Sequence, residues 1–154
     1  MKESSFIISP IKFVCMNRKY ELQFHYTRYM QIRGDSGTGK SLFVQDFAAV
    51  KEELPQYKNS AIYDTRNYKD LKKLSKHCEY DYVIIDNADY ILTEDVADII
   101  YENLKNQNKT CWVIIGRGLY SCTVSLACIG RLDVKEEDGY YHFTVNYNAI
   151  SSAI

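Results

Sequence analysis

Apolar positions along the chain switch between two periods, and each switch marks an element. Residues 6–8 and 11–15 are apolar runs interrupted by Pro10, and residues 20–26 alternate apolar and polar after the polar turn 17–19. Alternation at period two predicts strands with one buried face, here an antiparallel hairpin. Residues 28–33 continue it and predict the next strand. The period then becomes helical: Leu42, Phe43, Phe47, Val50 and Leu54 recur at helical spacing, with Pro55 placed to stop the helix.

Beyond Pro55, residues 61–63 predict a short strand ending at Asp64. Leu71 and Leu74 give residues 68–77 a helical stripe whose basic side is Lys69, Lys72, Lys73 and Lys76. Those lysines read as a solvated helix face or as a patch for a partner. Residues 82–85 and 110–115 are continuous apolar runs, expected of strands buried on both faces of a parallel sheet. Between them Thr93, Glu94 and Asp95 form a helix start, a hydroxyl cap followed by acids. Val96, Ile99, Ile100 and Leu104 then share one face, and residues 106–108 close the helix. In the tail, runs at 127–135 and 140–147 are joined through 136–139, where Asp138-Gly139 favours a hairpin turn. Strands alternating with helices in the middle imply right-handed crossovers. The expectation is one domain, residues 1–154, of the α/β class. It is a three-layer sandwich with a mostly parallel central sheet, flanked by N-terminal and C-terminal antiparallel β hairpins.

Composition narrows this picture in a few places. With 154 residues there is room for one core and no sizeable second domain. A formal charge of −1 gives no overall pull toward nucleic acid or acidic membranes. No apolar run approaches the roughly 20 residues that cross a bilayer. Residues 1–5 carry an acid and lead into a short strand instead of a signal-like apolar run, so a cytoplasmic protein is expected. The five cysteines, Cys15, Cys78, Cys111, Cys122 and Cys128, form no C-x-x-C pair, and His25, His77 and His142 lie far apart. Buried reduced thiols fit that pattern better than a metal site or a disulfide scaffold. Tyrosine is abundant, 14 residues against 6 phenylalanines, and Tyr140, Tyr141 and Tyr147 fall on expected strands. A phenol packs its ring there and keeps its hydroxyl wet; no basic interleaving suggests base stacking.

The densest chemistry lies at residues 34–41, Gly-Asp-Ser-Gly-Thr-Gly-Lys-Ser, which fill every position of G-x-x-x-x-G-K-[ST] between an expected strand and an expected helix. Gly34, Gly37 and Gly39 let the backbone curl so that amides point at an anion. Asp35, Ser36 and Thr38 complete the cradle, and Leu42 continues it into the helix, whose N-terminus adds its positive dipole end. Lys40 supplies a cation for phosphates, and Ser41 a hydroxyl for Mg²⁺. Asp86 ends the 82–85 run, on the side of a parallel sheet where ligands gather, and is the candidate acid for holding the metal.

With that pair the chain resembles the P-loop NTPase superfamily, and its glycine loop is similar to the additional-strand group of AAA+, RecA-like and ABC proteins. Residues 34–41 correspond to Walker A and residues 82–86 to Walker B. The resemblance covers roughly residues 29–117. It implies ATP and Mg²⁺ as ligands, a strand at 112–115 inserted between the two Walker strands, and the 61–63 strand at an edge. It implies a sensor role for Arg117, and an adenine-stacking aromatic for which Phe13 and Tyr20 stand at the right distance, core packing being their other reading. Relatives that hydrolyse efficiently place a glutamate where this chain has Asn87. A neutral amide aligns water without accepting its proton. Asp89 is the nearby substitute. The resemblance therefore implies a weak Mg²⁺-dependent ATPase used as a nucleotide-driven switch or assembly factor. The alternative is a non-hydrolysing regulatory subunit. A small-molecule or nucleotide kinase, with residues 64–66 holding an acceptor and Arg117 steadying charge, is a third reading. Self-association or a larger protein partner is implied, since related sites are often completed by a neighbour's arginine. Nucleic acid is not indicated. Adenine is favoured over guanine because residues 106–109 do not supply the Asn-Lys-x-Asp base reader.

Overall fold

A computed structural model of the chain describes residues 11–22, 29–34, 39–66, 73–75, 77–88, 94–106, 110–116 and 128–146. Its strands are β1 (Ile11–Cys15), β2 (Arg18–Leu22), β3 (Tyr29–Arg33), β4 (Ser60–Asp64), β5 (Tyr82–Asp86), β6 (Cys111–Gly116), β7 (Cys128–Glu137) and β8 (Tyr140–Asn146). Among the described residues its α-helices are α1 (Lys40–Val50) and α2 (Glu94–Lys105). All eight strands join one sheet in the order β1-β2-β8-β7-β3-β6-β5-β4. Pairing is antiparallel within the β1–β2 and β7–β8 hairpins and parallel at the other junctions.

This corrects the expected three-layer α/β sandwich. The protein is mostly strand, and its sheet is a curled, mixed half-barrel. The burial of each strand explains the difference. β5 and β6 are buried at every position, as their continuous apolar runs require. Tyr82, Ile84, Cys111, Val113 and Ile115 face α1, while Val83, Ile85, Trp112 and Ile114 face a second cluster with Ile99 and Ile100 of α2. β1 and β2 instead alternate buried with exposed. Their inward residues Ile11, Phe13, Tyr20 and Leu22, with Leu132 of β7 and Phe143 of β8, all join the α1 cluster. None joins the α2 cluster. Four strands with one apolar face bury it most fully by wrapping round a single helix, which the natural twist of a sheet permits. The concave side holds α1, and aromatic rings fill the space: Phe13 stacks on Tyr20 at 4.6 Å and Tyr20 on Phe143 at 4.4 Å.

Local expectations are adjusted too. The first helix ends at Val50, and its continuation tightens into short 3₁₀ turns at Lys51–Glu53 and Pro55–Tyr57. The expected 68–77 helix lies largely outside the described residues, and 73–75 and 77 are not helical. The 6–8 strand, Thr93, Tyr147 and residues 107–108 also lie outside them. The last hairpin is tighter than its pattern indicates. Its strands run up to Asp138 (φ 55°) and Gly139 (φ 81°), the left-handed pair that a two-residue turn uses. Cys78 and Cys111 are buried and Cys15 is half-buried, and these three are in no disulfide. Among the described residues, no helix is long and apolar enough to cross a membrane.

Candidate functional site

Parallel pairing brings the carboxyl ends of β3, β6, β5 and β4 to one edge. Ile32 lies opposite Ile115, Arg33 opposite Gly116, and Asp64 opposite Asp86. The loops leaving this edge stay tied to it: Gly34 N donates to Gly116 O at 3.2 Å, Ala88 N to Ile115 O at 2.9 Å, and Thr65 N to Asp86 O at 3.1 Å. β6 separates β3 from β5, and β4 is the outermost strand on that side.

Of the sequence-predicted cradle, Gly34, Gly39, Lys40, Ser41 and Leu42 are described; Asp35, Ser36, Gly37 and Thr38 lie outside the described residues, as do Asp89 and Arg117. Gly39 caps α1 with φ 93°, a left-handed conformation that glycine adopts without strain. A Cβ built there would meet Phe143 Cε2 at 2.7 Å, so the loop backbone rests directly on the β8 ring. Lys40 opens α1, and its Nζ donates to Gly34 O, closing the loop end to end. Ser41 is exposed in the first turn, whereas the side chain of Leu42 packs against the α1 core and offers a ligand only its backbone.

Asp86 has the same strand parity as Tyr82 and Ile84, so its carboxylate points to the α1 side, where Lys40 stands. Burial pushes its pKa above the usual carboxylate range. The Asn87 N–H works against this, the neighbouring Asp64 charge adds to it, and the Arg66 and Lys40 cations oppose it. Of these influences that of Lys40 is the weakest. A raised folded pKa means that ionised Asp86 destabilises the fold at neutral pH, its favourable contribution being present below the unfolded pKa and lost as pH rises through the folded one. Asp86→Asn is therefore expected to gain about 1 kcal/mol at pH 7. Denaturant titrations at pH 7 and pH 4 check this, the gain shrinking at pH 4.

Two residues that the sequence placed differently complete the edge. Asp64 and Arg66, read as an acceptor site, are bound to each other: Arg66 Nη2 donates to Asp64 Oδ2 at 2.7 Å and Arg66 N to Asp64 Oδ1 at 2.9 Å. The Arg66 hydrogen bonds, against a smaller effect of burial, hold Asp64 below the usual carboxylate range. Asn87, with φ 55°, donates from its backbone to Asp86 Oδ1 at 2.8 Å and from Nδ2 to Asp64 Oδ2 at 3.0 Å. Thr65 Oγ1 donates to its carbonyl. The only sequence signal for this brace was that two neighbouring strands both end in aspartate.

Phe13 and Tyr20 are not available to a base. They are 7% and 2% exposed and belong to the core stack. The Ser41 hydroxyl and the Asp86 carboxylate are oxygen donors of the kind that a hydrated hard cation takes. Among the described residues no group of three or more His, Cys, Asp or Glu is placed to hold a metal by itself. Compared with known proteins, the chain matches no protein-family model and no curated sequence.

Proposed function

We propose that the chain binds ATP with Mg²⁺ on the shared carboxyl edge of β3 and β5, as a small divergent relative of the P-loop NTPases. In this reading it hydrolyses the nucleotide slowly and uses the bound state as a switch or assembly signal toward a second copy or a larger protein partner, in the cytoplasm. The observation that carries the reading is the convergence of the Gly39–Lys40 helix start and the buried Asp86 carboxylate on one face of the sheet, with Lys40 acting electrostatically on Asp86. The placement of β6 between β3 and β5 also supports it. Backbone amides and the Lys40 ammonium would hold the phosphates, and Ser41 and Asp86 the cation, whose chemistry is to neutralise charge on the phosphate oxygens.

Lys40→Ala is expected to weaken binding of a fluorescent ATP analogue at least tenfold, about 1.4 kcal/mol. Asp86→Ala is expected to remove the Mg²⁺ dependence of what remains. An unaltered chain with no saturable ATP binding at millimolar concentration refutes the reading. A non-hydrolysing regulatory role is the second reading, and the neutral Asn87 at the water-facing position favours it. Single-turnover phosphate release separates the two.

A further inference from the structure

The amide of Asn87 is held more firmly than an idle loop residue requires. Its backbone N–H is bound to Asp86, its carbonyl accepts from Thr65, and its Nδ2 is given to Asp64. Asp64 is fixed in turn by Arg66 through Nε at 3.1 Å and Nη2 at 2.7 Å. An amide whose NH₂ is committed to a carboxylate presents its carbonyl oxygen as an acceptor. Among the described residues nothing donates to Asn87 Oδ1. The left-handed backbone of Asn87 suits asparagine and aspartate above other side chains.

Resting on the ATPase reading, we infer that Asp64 is a positioning residue that sets the Asn87 carbonyl to orient the attacking water. In that step the water oxygen bonds to the terminal phosphorus. The bond to the bridging oxygen breaks with its electron pair left on the diphosphate, and the water proton ends on the released phosphate. Asn87 accepts a hydrogen bond and takes no proton. Asp64, gripped by Arg66, acts only through Asn87. The missing strong base makes turnover slow, and the Arg66–Asp64–Asn87 chain keeps it above background.

The test exchanges donor and acceptor. Asp64→Asn and Asn87→Asp are made singly and together, and three quantities are read: kcat against KM for phosphate release, Kd for a fluorescent ATP analogue, and the Asn87 side-chain NH₂ resonances without nucleotide. Asp64→Asn is expected to lower kcat roughly tenfold while leaving Kd nearly unchanged, and to shift the Asn87 NH₂ signals. Asn87→Asp is expected to lower kcat likewise, because its new carboxylate is repelled by Asp64 and swings out of position. The double exchange, which keeps the bond with its ends reversed, is expected to restore kcat. Additive losses in the double variant, unchanged kcat or unchanged NH₂ signals in Asp64→Asn, or binding without turnover in the unaltered chain each overturn the inference while leaving ATP binding intact. No binding in the unaltered chain removes the underlying reading, and the inference with it.

Discussion

Gly39→Ala is expected to destabilise the fold by about 3 kcal/mol and to abolish ATP binding. Two penalties combine at that residue. A Cβ at φ 93° strains the backbone, and the same Cβ would sit 2.7 Å from Phe143 Cε2. The ring cannot swing away cheaply, because Phe143 is 3% exposed and stacked on Tyr20, which is stacked on Phe13. Urea titrations of a double-mutant cycle separate the two. Phe143→Ala alone is expected to cost about 3–5 kcal/mol by leaving a cavity. On that background Gly39→Ala adds only the backbone share, about 1–2 kcal/mol. A full, additive 3 kcal/mol would show that loop and ring do not meet. Calorimetric ATP titration of Gly39→Ala measures the functional loss, and retained affinity would contradict the prediction.

Arg18→Met is expected to cost about 3 kcal/mol at pH 7 and to invert the acid response of stability. Arg18 Nε and Nη2 donate to Asp46 Oδ2 and Oδ1 at 2.6 and 3.0 Å, and Tyr20 OH adds a third bond. Asp46 is 4% exposed, on the buried stripe of α1 between Phe43 and Phe47. Burial alone would raise its pKa, but the Arg18 and Tyr20 hydrogen bonds, with Cys15, hold it below the ordinary value. A depressed folded pKa contributes stability above the unfolded pKa, and that contribution is lost as pH falls through the folded one. Without Arg18 only the Tyr20 and Cys15 hydrogen bonds oppose the effect of burial, and the shift is expected to reverse. The variant then gains stability as pH falls from 7 toward 4, whereas the unaltered chain gains nothing from this carboxylate. Denaturant midpoints of both proteins across that range decide the point; parallel curves would contradict it.

What could be read from sequence was whatever a short window contains. The glycine-rich run of residues 34–41, the strand-ending Asp86 and the two-sided burial of residues 82–85 are local patterns. So is the Asp138-Gly139 turn. The curl of the sheet was hidden because it depends on which strands lack cover, a fact about partners and not about any one strand. The apolar run of residues 11–15 was visible, but its sharing of one helix with Phe143 was not. The Asp64–Asn87 contact joins residues 23 apart through a register that no local pattern encodes. Asp46 left one legible trace, a lone acid three residues after Phe43 and next to Phe47 on an apolar helical stripe. Its partner Arg18 reads as part of the polar turn 17–19, whereas it opens β2.

Sheet order also has a consequence for biosynthesis. The β7–β8 hairpin, translated after the other described strands, is the wedge that separates β2 from β3. A nascent polypeptide therefore cannot join its first hairpin, through β8 and β7, to the β3 part of the sheet until the ribosome has passed Asn146. Such long-range closure makes assembly slow. It also leaves Gly39 without the ring it rests on until Phe143 of β8 has been made.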